Sequence, residues 1–551
     1  MIKNFFISFS LILFVISCSS PDSIIVNEIS KEEFIKDFTK TNTIYEIYDD
    51  VDFENDDFII PDNCTLRFIS GKISHANIIF NNTILEGNIS FYDCTYNGHI
   101  ANDEIQLKWF QQPQKSISVC MNDDKKEYKK AQPLTKKFFE SIIKCCQGKT
   151  IIVDDFYTFK QTIIISNKIT FKSLNLNESV YAINYYNIEY GFHFPDEING
   201  FVINNGGDLS LLGISIIGTY GLYISGNLWD NYGPDWYPDD TPPKIFTTGI
   251  EVKKGGNISE IYNSTINTFT YGIKLNPESN CGIIKNTYLS SCRFGLYADS
   301  VSNLKFTGCR FNTNLINFPF HYRSINNNRQ GINENEGNQL RKMGSGVYLR
   351  NCTDSIFENN RFEFNNIHLI IDECGTNLTV KNNIFDTGSA CHVLIYNAND
   401  SENVINNSFS QSNPAMNNIF FINNTMARGS RHDYTNSSGK AVSHPGFGIF
   451  HITEGNNRGA KVYITNNIVS DDMEMESREV TYQNQVFCIY NTSTSATDYF
   501  IEGNSFAATK AKYLYYGVSD SQGIFTIHQK GNSTGNLIEK GGKTEIIKIS
   551  E

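Results

Sequence analysis

A six-residue signature recurs along the chain and sets what it can fold into. It reads IYNSTI, IIKNTYL, FTGCRF, FENNRF, VKNNIF, VINNSF, FINNTM, ITNNIV and IEGNSF. Its last apolar residue falls at Ile266, Leu289, Phe311, Phe362, Phe385, Phe409, Met426, Val469 and Phe506. A second apolar strand follows at a fixed offset: YGIKL, FGLYA, SGVYL and NIHLI. No segment there has the 3.6-residue apolar period of a helix. Short strands returning about every 22 residues predict a solenoid of stacked β rungs.

The residues before each anchor sharpen this. Asn263, Asn286, Asn359, Asn382, Asn406, Asn423 and Asn466 share one position. Asn360, Asn383, Asn407, Asn424, Asn467 and Asn504 share the next. Random asparagine would not keep phase. Stacked amides can hydrogen-bond along a pile of rungs, and Asn tolerates the left-handed backbone of a tight turn.

With this pattern the chain resembles the pectate-lyase-like superfamily of right-handed parallel β-helices. The fold class is then all-β: a β-helix with an N-terminal β cap segment and a short capping helix. The resemblance covers most of the chain beyond residue 40. Residues 60–84 look like the N-terminal segment of lipoproteins with this fold, and IQLKWF, ending at Trp109-Phe110, looks like their WF motif. The helical stretch LTKKFFESIIKCCQG then caps the core, and GKTIIVDDFYTFKQTIIISNKITF resembles the first rung. Capping is required because an open end exposes strand edges and apolar stacks. The chain departs from the pattern after Phe110, where QQPQKSISVCMNDDKKEY replaces the usual Gly-Asp-Gly run. The NTD, GHG and RIK motifs of polygalacturonases are absent, which argues against that activity. Asp154-Asp155 and Asp239-Asp240 lack their surroundings.

The N-terminus reads as an address. Residues 1–18 carry Lys3 and then an apolar stretch from Phe5 to Ile16, too short for a comfortable membrane span. Val15-Ile16-Ser17-Cys18 resembles the lipobox of bacterial lipoproteins, in which Cys18 carries the lipid. The expected organisation is a signal peptide at 1–18, a polar tether at 19–40, a β-rich cap at 41–110 and the β-helix at 111–540. The expected location is the bacterial outer membrane, at the cell surface. Of 13 cysteines, twelve follow Cys18, and export permits disulfides. The repeat phase puts Cys352 and Cys374 on neighbouring rungs, as a disulfide or as a reduced pair. Cys145-Cys146 read as core, and no Cys/His spacing suggests zinc.

Four interruptions break the repeat, near 219–247, 313–345, 427–447 and 471–485. Each follows an anchor and precedes the next strand, where the ordinary connection is about five or six residues. Stacking would place all four along one side, as walls of a groove. Insertions on one face often mark the binding face.

The first interruption holds Trp229, Trp236 and Tyr237 beside several aspartates, a set suited to stacking on sugar rings. Tyr322 and Tyr434 extend that substrate-binding set. Arg323 and Arg341 in the second, with Arg431, His432 and Asp433 in the third, are the candidate catalytic residues. Arg or His would neutralise a uronate carboxylate or transfer a proton, and Asp433 would orient or coordinate. The net charge of −13 excludes non-specific nucleic-acid binding, which needs a basic surface. The expected partners are a polysaccharide and, through Cys18, a membrane. No cofactor motif is present; the acidic SDDMEMESREV segment and the loop aspartates are compatible with Ca2+. The expected function is a surface lipoprotein that binds a polysaccharide and cleaves it as a lyase would. Hydrolysis and non-catalytic glycan binding or adhesion are the alternatives.

Overall fold

In the computed structural model, the described residues are 23–26, 31–120, 128–176, 190–195, 198–218, 247–312, 344–365, 367–372, 375–388, 391–397, 417–429, 448–454, 461–470, 485–491, 498–509, 511–517 and 524–551. They form two compact units, residues 1–102 with 109–111, and residues 103–108 with 112–551.

The first unit is itself built of short parallel strands. Ser23–Val26 pairs with Ile44–Ile47, which pairs with Thr65–Phe68, which pairs with Asn77–Gly87. Helix α1 (Lys31–Asp37) lays Phe34, and the chain just after it Phe38, against Tyr45, Phe53 and Phe58, with ring centroids 4.2 to 5.7 Å apart. Within the expected tether, residues 23–26 thus pair as a strand and residues 31–38 pack onto the unit. Burial of two phenylalanines ties this segment to the unit.

The second unit is a parallel β-helix. Each full rung runs through three sheets, as in Asn257–Tyr262 (sheet A), Thr265–Asn267 (sheet B) and Tyr271–Leu275 (sheet C). Among the described residues the sheets hold 14, 13 and 12 strands respectively. Successive turns are in parallel register, and a crossover between parallel strands of one sheet takes the right-handed path. One antiparallel pair, Ile117–Cys120 with Tyr128–Pro133, precedes the first full rung. Helix α2 (Lys136–Cys145) covers that end of the stack: Phe139 is buried against Phe159, Phe171 and Phe192. Cys145 and Cys146 are buried core residues, as expected.

The A-to-B corner explains the asparagine pattern. Asn263, Asn286, Asn359, Asn382, Asn423 and Asn466 have φ between 48° and 56°, and Gly308 and Gly503 take φ 65° in the same column. The next column is an amide ladder. Asn360, Asn383, Asn424, Asn467 and Asn504 each donate Nδ2–H to Oδ1 of the following asparagine at 2.9 to 3.0 Å, ending on Asn532. The same Oδ1 accepts the backbone N–H of the preceding asparagine. The second Nδ2–H reaches a carbonyl of the preceding rung, such as Val380 for Asn424. Both donors and both lone pairs are thus satisfied inside the wall.

The anchors Ile266, Leu289, Phe311, Phe362, Phe385, Met426, Val469 and Phe506 are all fully buried. Phe409 is the exception in the sequence pattern. It lies in 398–416, outside the described residues, and Phe385 pairs directly with Met426. Among the described residues no strand of sheet B stands between those two.

None of the ten cysteines whose side chains are described is in a disulfide, Cys352 included; Cys374 lies outside the described residues. The Cys309, Cys292 and Cys352 thiols are pushed up to about 12 by burial, which leaves them protonated and unreactive at neutral pH.

Candidate functional site

The four long interruptions occupy one corner. They connect Ile217 to Thr248, Asn312 to Ser345, Gly429 to Gly448 and Ser470 to Gln485, each between a sheet B strand and a sheet C strand. Ordinary B-to-C connections are shorter than expected: three residues separate Asn267 from Tyr271, and Ser290 from Phe294. Long connections also leave elsewhere. The chain between Ser173 and Gly191 joins sheet A to sheet B, and that between Asn397 and Asn417 joins sheet C to sheet A. The interruptions therefore favour one corner without being confined to it.

All the loop candidates fall outside the described residues: Trp229, Trp236 and Tyr237 in 219–246; Tyr322, Arg323 and Arg341 in 313–343; Arg431, His432, Asp433 and Tyr434 in 430–447. Cys18 does so as well. Asp154 and Asp155 sit at a sheet corner. Asp154 accepts the Tyr157 hydroxyl at 2.9 Å and burial raises its carboxyl, while Asp155 accepts the Phe156 N–H.

The four B-to-C interruptions each lead directly into a strand of sheet C. Side chains alternate across a strand. In Phe294–Asp299, Leu296 and Ala298 face the core, which places Tyr297 and Asp299 on the outer face. Register then stacks Tyr297, Tyr348, Ile370 and Leu394 in one outer column, and Asp299, Arg350, Asp372 and Tyr396 in the next.

A buried aromatic cluster lies on this side of the sheet, with Tyr271 and Tyr348 1% and Tyr297 6% exposed. Tyr271 stacks on Phe294 at 5.4 Å, Tyr297 meets Tyr271 at 5.5 Å, and Tyr348 meets Tyr297 at 5.0 Å. Beside the rings runs a line of alternating charge. Arg350 Nη1 lies 3.4 Å from Asp299 Oδ2, and Asp372 follows Arg350 on the next rung. Tyr348 donates its hydroxyl to Asp372 Oδ2. Asp372 is 1% exposed and Arg350 9%. Burial first, then the Asp299 charge, pushes the Tyr297 phenol up. It stays protonated and is a hydrogen-bond donor rather than a base.

The outer column continues through His451, in register between Leu394 and Cys488. Burial pushes this imidazole down to about 4, so it is neutral at physiological pH. At the other end Glu251 bonds Lys253 at 2.8 Å and Asn276 at 3.2 Å, and Lys274 lies 3.7 Å from it. Burial opposes the Glu251 carboxylate, but the two lysines outweigh it and hold the carboxyl below its usual range.

Asp299, Arg350 and Asp372 were not among the sequence candidates. They stand just beyond the apolar pairs of FGLYAD, SGVYLR and IHLIID. Extending the second-strand pattern by a residue or two would have aligned them. No group of three His, Cys, Asp or Glu suited to a metal occurs among the described residues. No described helix is long and apolar enough to cross a membrane.

No protein-family model matches the chain, and no curated protein matches it. Solved structures do. The catalytic unit of a thermostable GH87 α-1,3-glucanase from Streptomyces thermodiastaticus is 11% identical at TM-score 0.38, covering 76% of this chain and 64% of that one. The Dettilon tailspike protein is 13% identical at TM-score 0.41, covering 67% and 62%. An alginate lyase from a Paenibacillus species is 12% identical at TM-score 0.28, covering 76% and 99%. The chain thus spans less than two thirds of the length of the first two. The likeness is one of fold: long parallel sheets wound as a β-helix.

Proposed function

We propose that the chain engages a polysaccharide along the outer face of sheet C, at the bacterial cell surface, held to the outer membrane by lipid on Cys18. The observation that carries this reading is the outer-face constellation itself. Tyr271, Tyr297, Tyr348 and Tyr396 stand beside Asp299, Arg350 and Asp372, at the corner where four long connections join the sheet. The tyrosine rings are themselves buried and pack the wall; the proposed sugar contacts are the partly exposed Asp299 and the loop residues Trp229, Trp236, Tyr237, Tyr322 and Tyr434.

For cleavage, the lyase expectation rests on Arg323, Arg341, Arg431 and His432 in the connections. Hydrolysis is the alternative reading. Arg350 lies between two carboxylates, so its charge is compensated and is poorly placed to neutralise a uronate. Asp299 and Asp372 are two rungs apart, about 9.6 Å along the ladder from the spacing of stacked strands. That lies just beyond the separation of about 6.5–9.5 Å at which an inverting glycosidase seats a water between acid and base, and Arg350 stands between the two.

The test uses purified residues 19–551 with Cys18 replaced, on a panel of acidic and neutral polysaccharides. Ultraviolet absorbance of unsaturated ends and total reducing ends are followed together. Both signals rising establishes a lyase. Reducing ends alone, lost in Asp299→Asn or Asp372→Asn, establishes a hydrolase. Binding in gel retardation without either signal leaves a glycan-binding or adhesive protein. Neither binding nor cleavage across the panel overturns the proposal.

A further inference from the structure

A cleft lies where helix α2 begins, at the first connection from sheet B to sheet C, and Thr158, Lys160 and Gln161 at that connection line it. Its volume is about 660 Å³, within the usual size of small-ligand sites. Lys115, Lys136, Lys137 and Lys160 converge on it. In a chain of net charge −13 this is a local reversal of sign.

The charges are largely uncompensated. Lys136 approaches Glu140 at 3.7 Å, one carboxylate against four lysines. Lys115, Lys137 and Lys160 make no ion pair among the described residues. Lys136 and Lys137 also stand in the first turn of a helix with no acidic residue in that turn, where the backbone dipole disfavours cations. Holding four like charges around one cavity raises the energy of the empty protein. An anion seated among them lowers it.

The rest of the lining narrows the anion. Pro133 and Leu134 give the cleft an apolar floor, and Gln114, Thr135 and Gln161 place amide and hydroxyl groups at its sides. An inorganic ion has no use for the floor. A sugar ring that carries an acid group uses all three: its C–H face on the floor, its hydroxyls on the amides and its charge among the lysines.

We infer that this cleft binds an acidic sugar unit, carboxylated or sulfated, at a subsite distinct from the Tyr271 to Tyr396 stretch of sheet C. The inference stands on the lysines and the cavity, and it does not require that sheet C be a glycan site.

The experiment is calorimetric titration of residues 19–551, with Cys18 replaced, at low ionic strength. The probes are a galacturonate tetrasaccharide, a chondroitin sulfate tetrasaccharide, the neutral maltotetraose and inorganic phosphate. Binding of either charged tetrasaccharide, tenfold or more above maltotetraose and phosphate, supports the inference, and the tighter of the two names the acid group. The triple variant Lys115→Gln/Lys137→Gln/Lys160→Gln should weaken that binding at least tenfold. Lys168→Gln/Lys305→Gln/Lys548→Gln, which removes as much charge elsewhere, should leave it unchanged. Equal binding by the first triple variant and the native chain overturns the inference, as does phosphate binding as tight as the oligosaccharides or no binding of either charged probe. Asp372→Asn, which addresses sheet C, should not alter it.

Discussion

The side-chain amide of Asn383 donates to Oδ1 of Asn424 at 3.0 Å, across 41 residues of sequence and a single rung of the solenoid. The contact is one link of a ladder in which every amide is both donor and acceptor. Asn424 accepts from the backbone and side chain of Asn383, and it donates to Val380 and Asn467. Asn424→Ala removes four hydrogen bonds and strands buried partners on the two neighbouring rungs. At about 1 kcal/mol per bond, with more for groups left unsatisfied, the loss should be about 3–5 kcal/mol. Asn532, the last and half-buried member, should cost about half as much on the same change. Urea unfolding of the two variants checks the difference; equal losses would mean that the ladder is not a buried network.

The neighbouring column makes a different demand. Asn423 has φ 54° and Asn466 has the same value, while Gly503 takes φ 65° at the corresponding place one rung on. A glycine there already works, so Asn423→Gly should change stability by less than about 1 kcal/mol. Asn423→Val puts a β-branched residue in the left-handed region and should cost about 2 kcal/mol or more. Thermal melts of the pair separate backbone strain from side-chain bonding, since both variants delete the same amide.

The asparagine phase made this much legible from sequence because a solenoid is nearly one-dimensional. A fixed offset along the chain becomes a fixed place on the wall, and the turn chemistry repeats with it. The same logic also shows where the reading failed. Phe409 is only 17 residues before Met426, less than one rung, and similarity of the motif outweighed the arithmetic. Asp299 and Arg350 are adjacent on sheet C but 51 residues apart, because the 313–343 connection lies between them. Their relation appears only when that connection is removed and the rungs are laid in register. Loop composition drew attention to Arg323 and His432, whereas the charged groups on the sheet hid behind apolar strands.

On sheet C the Tyr348 hydroxyl and Asp372 form a buried pair. Tyr348→Phe keeps the ring in the cluster with Phe294 and Tyr297 and removes only the donor. The Asp372 carboxylate then loses a charge-assisted bond while it stays buried, which should cost about 1–3 kcal/mol. Asp372→Asn/Tyr348→Phe together should cost less than the sum of the single changes, because each removes the same interaction. A double-mutant cycle by urea unfolding reads this coupling. Strict additivity would remove the pair from any account of how this face is organised.

Acid should find the fold through its histidines. Burial pushes His193, His392 and His451 down to about 4, and His368 further, helped by the charge His392 would carry beside it. The rings of His368 and His392 stack at 4.9 Å inside the wall. Unfolded histidine titrates near 6.5. Between about pH 6.5 and 4 the unfolded chain therefore binds more protons than the native one, and stability falls as pH falls. Each such histidine contributes about 1.4 kcal/mol per pH unit within that window. Urea midpoints should hold steady from pH 8 to 7 and drop steeply from pH 6 to 5, with three to four protons taken up on unfolding. His392→Gln should remove about one of them. A flat profile down to pH 5 would mean that these imidazoles are charged within the native wall.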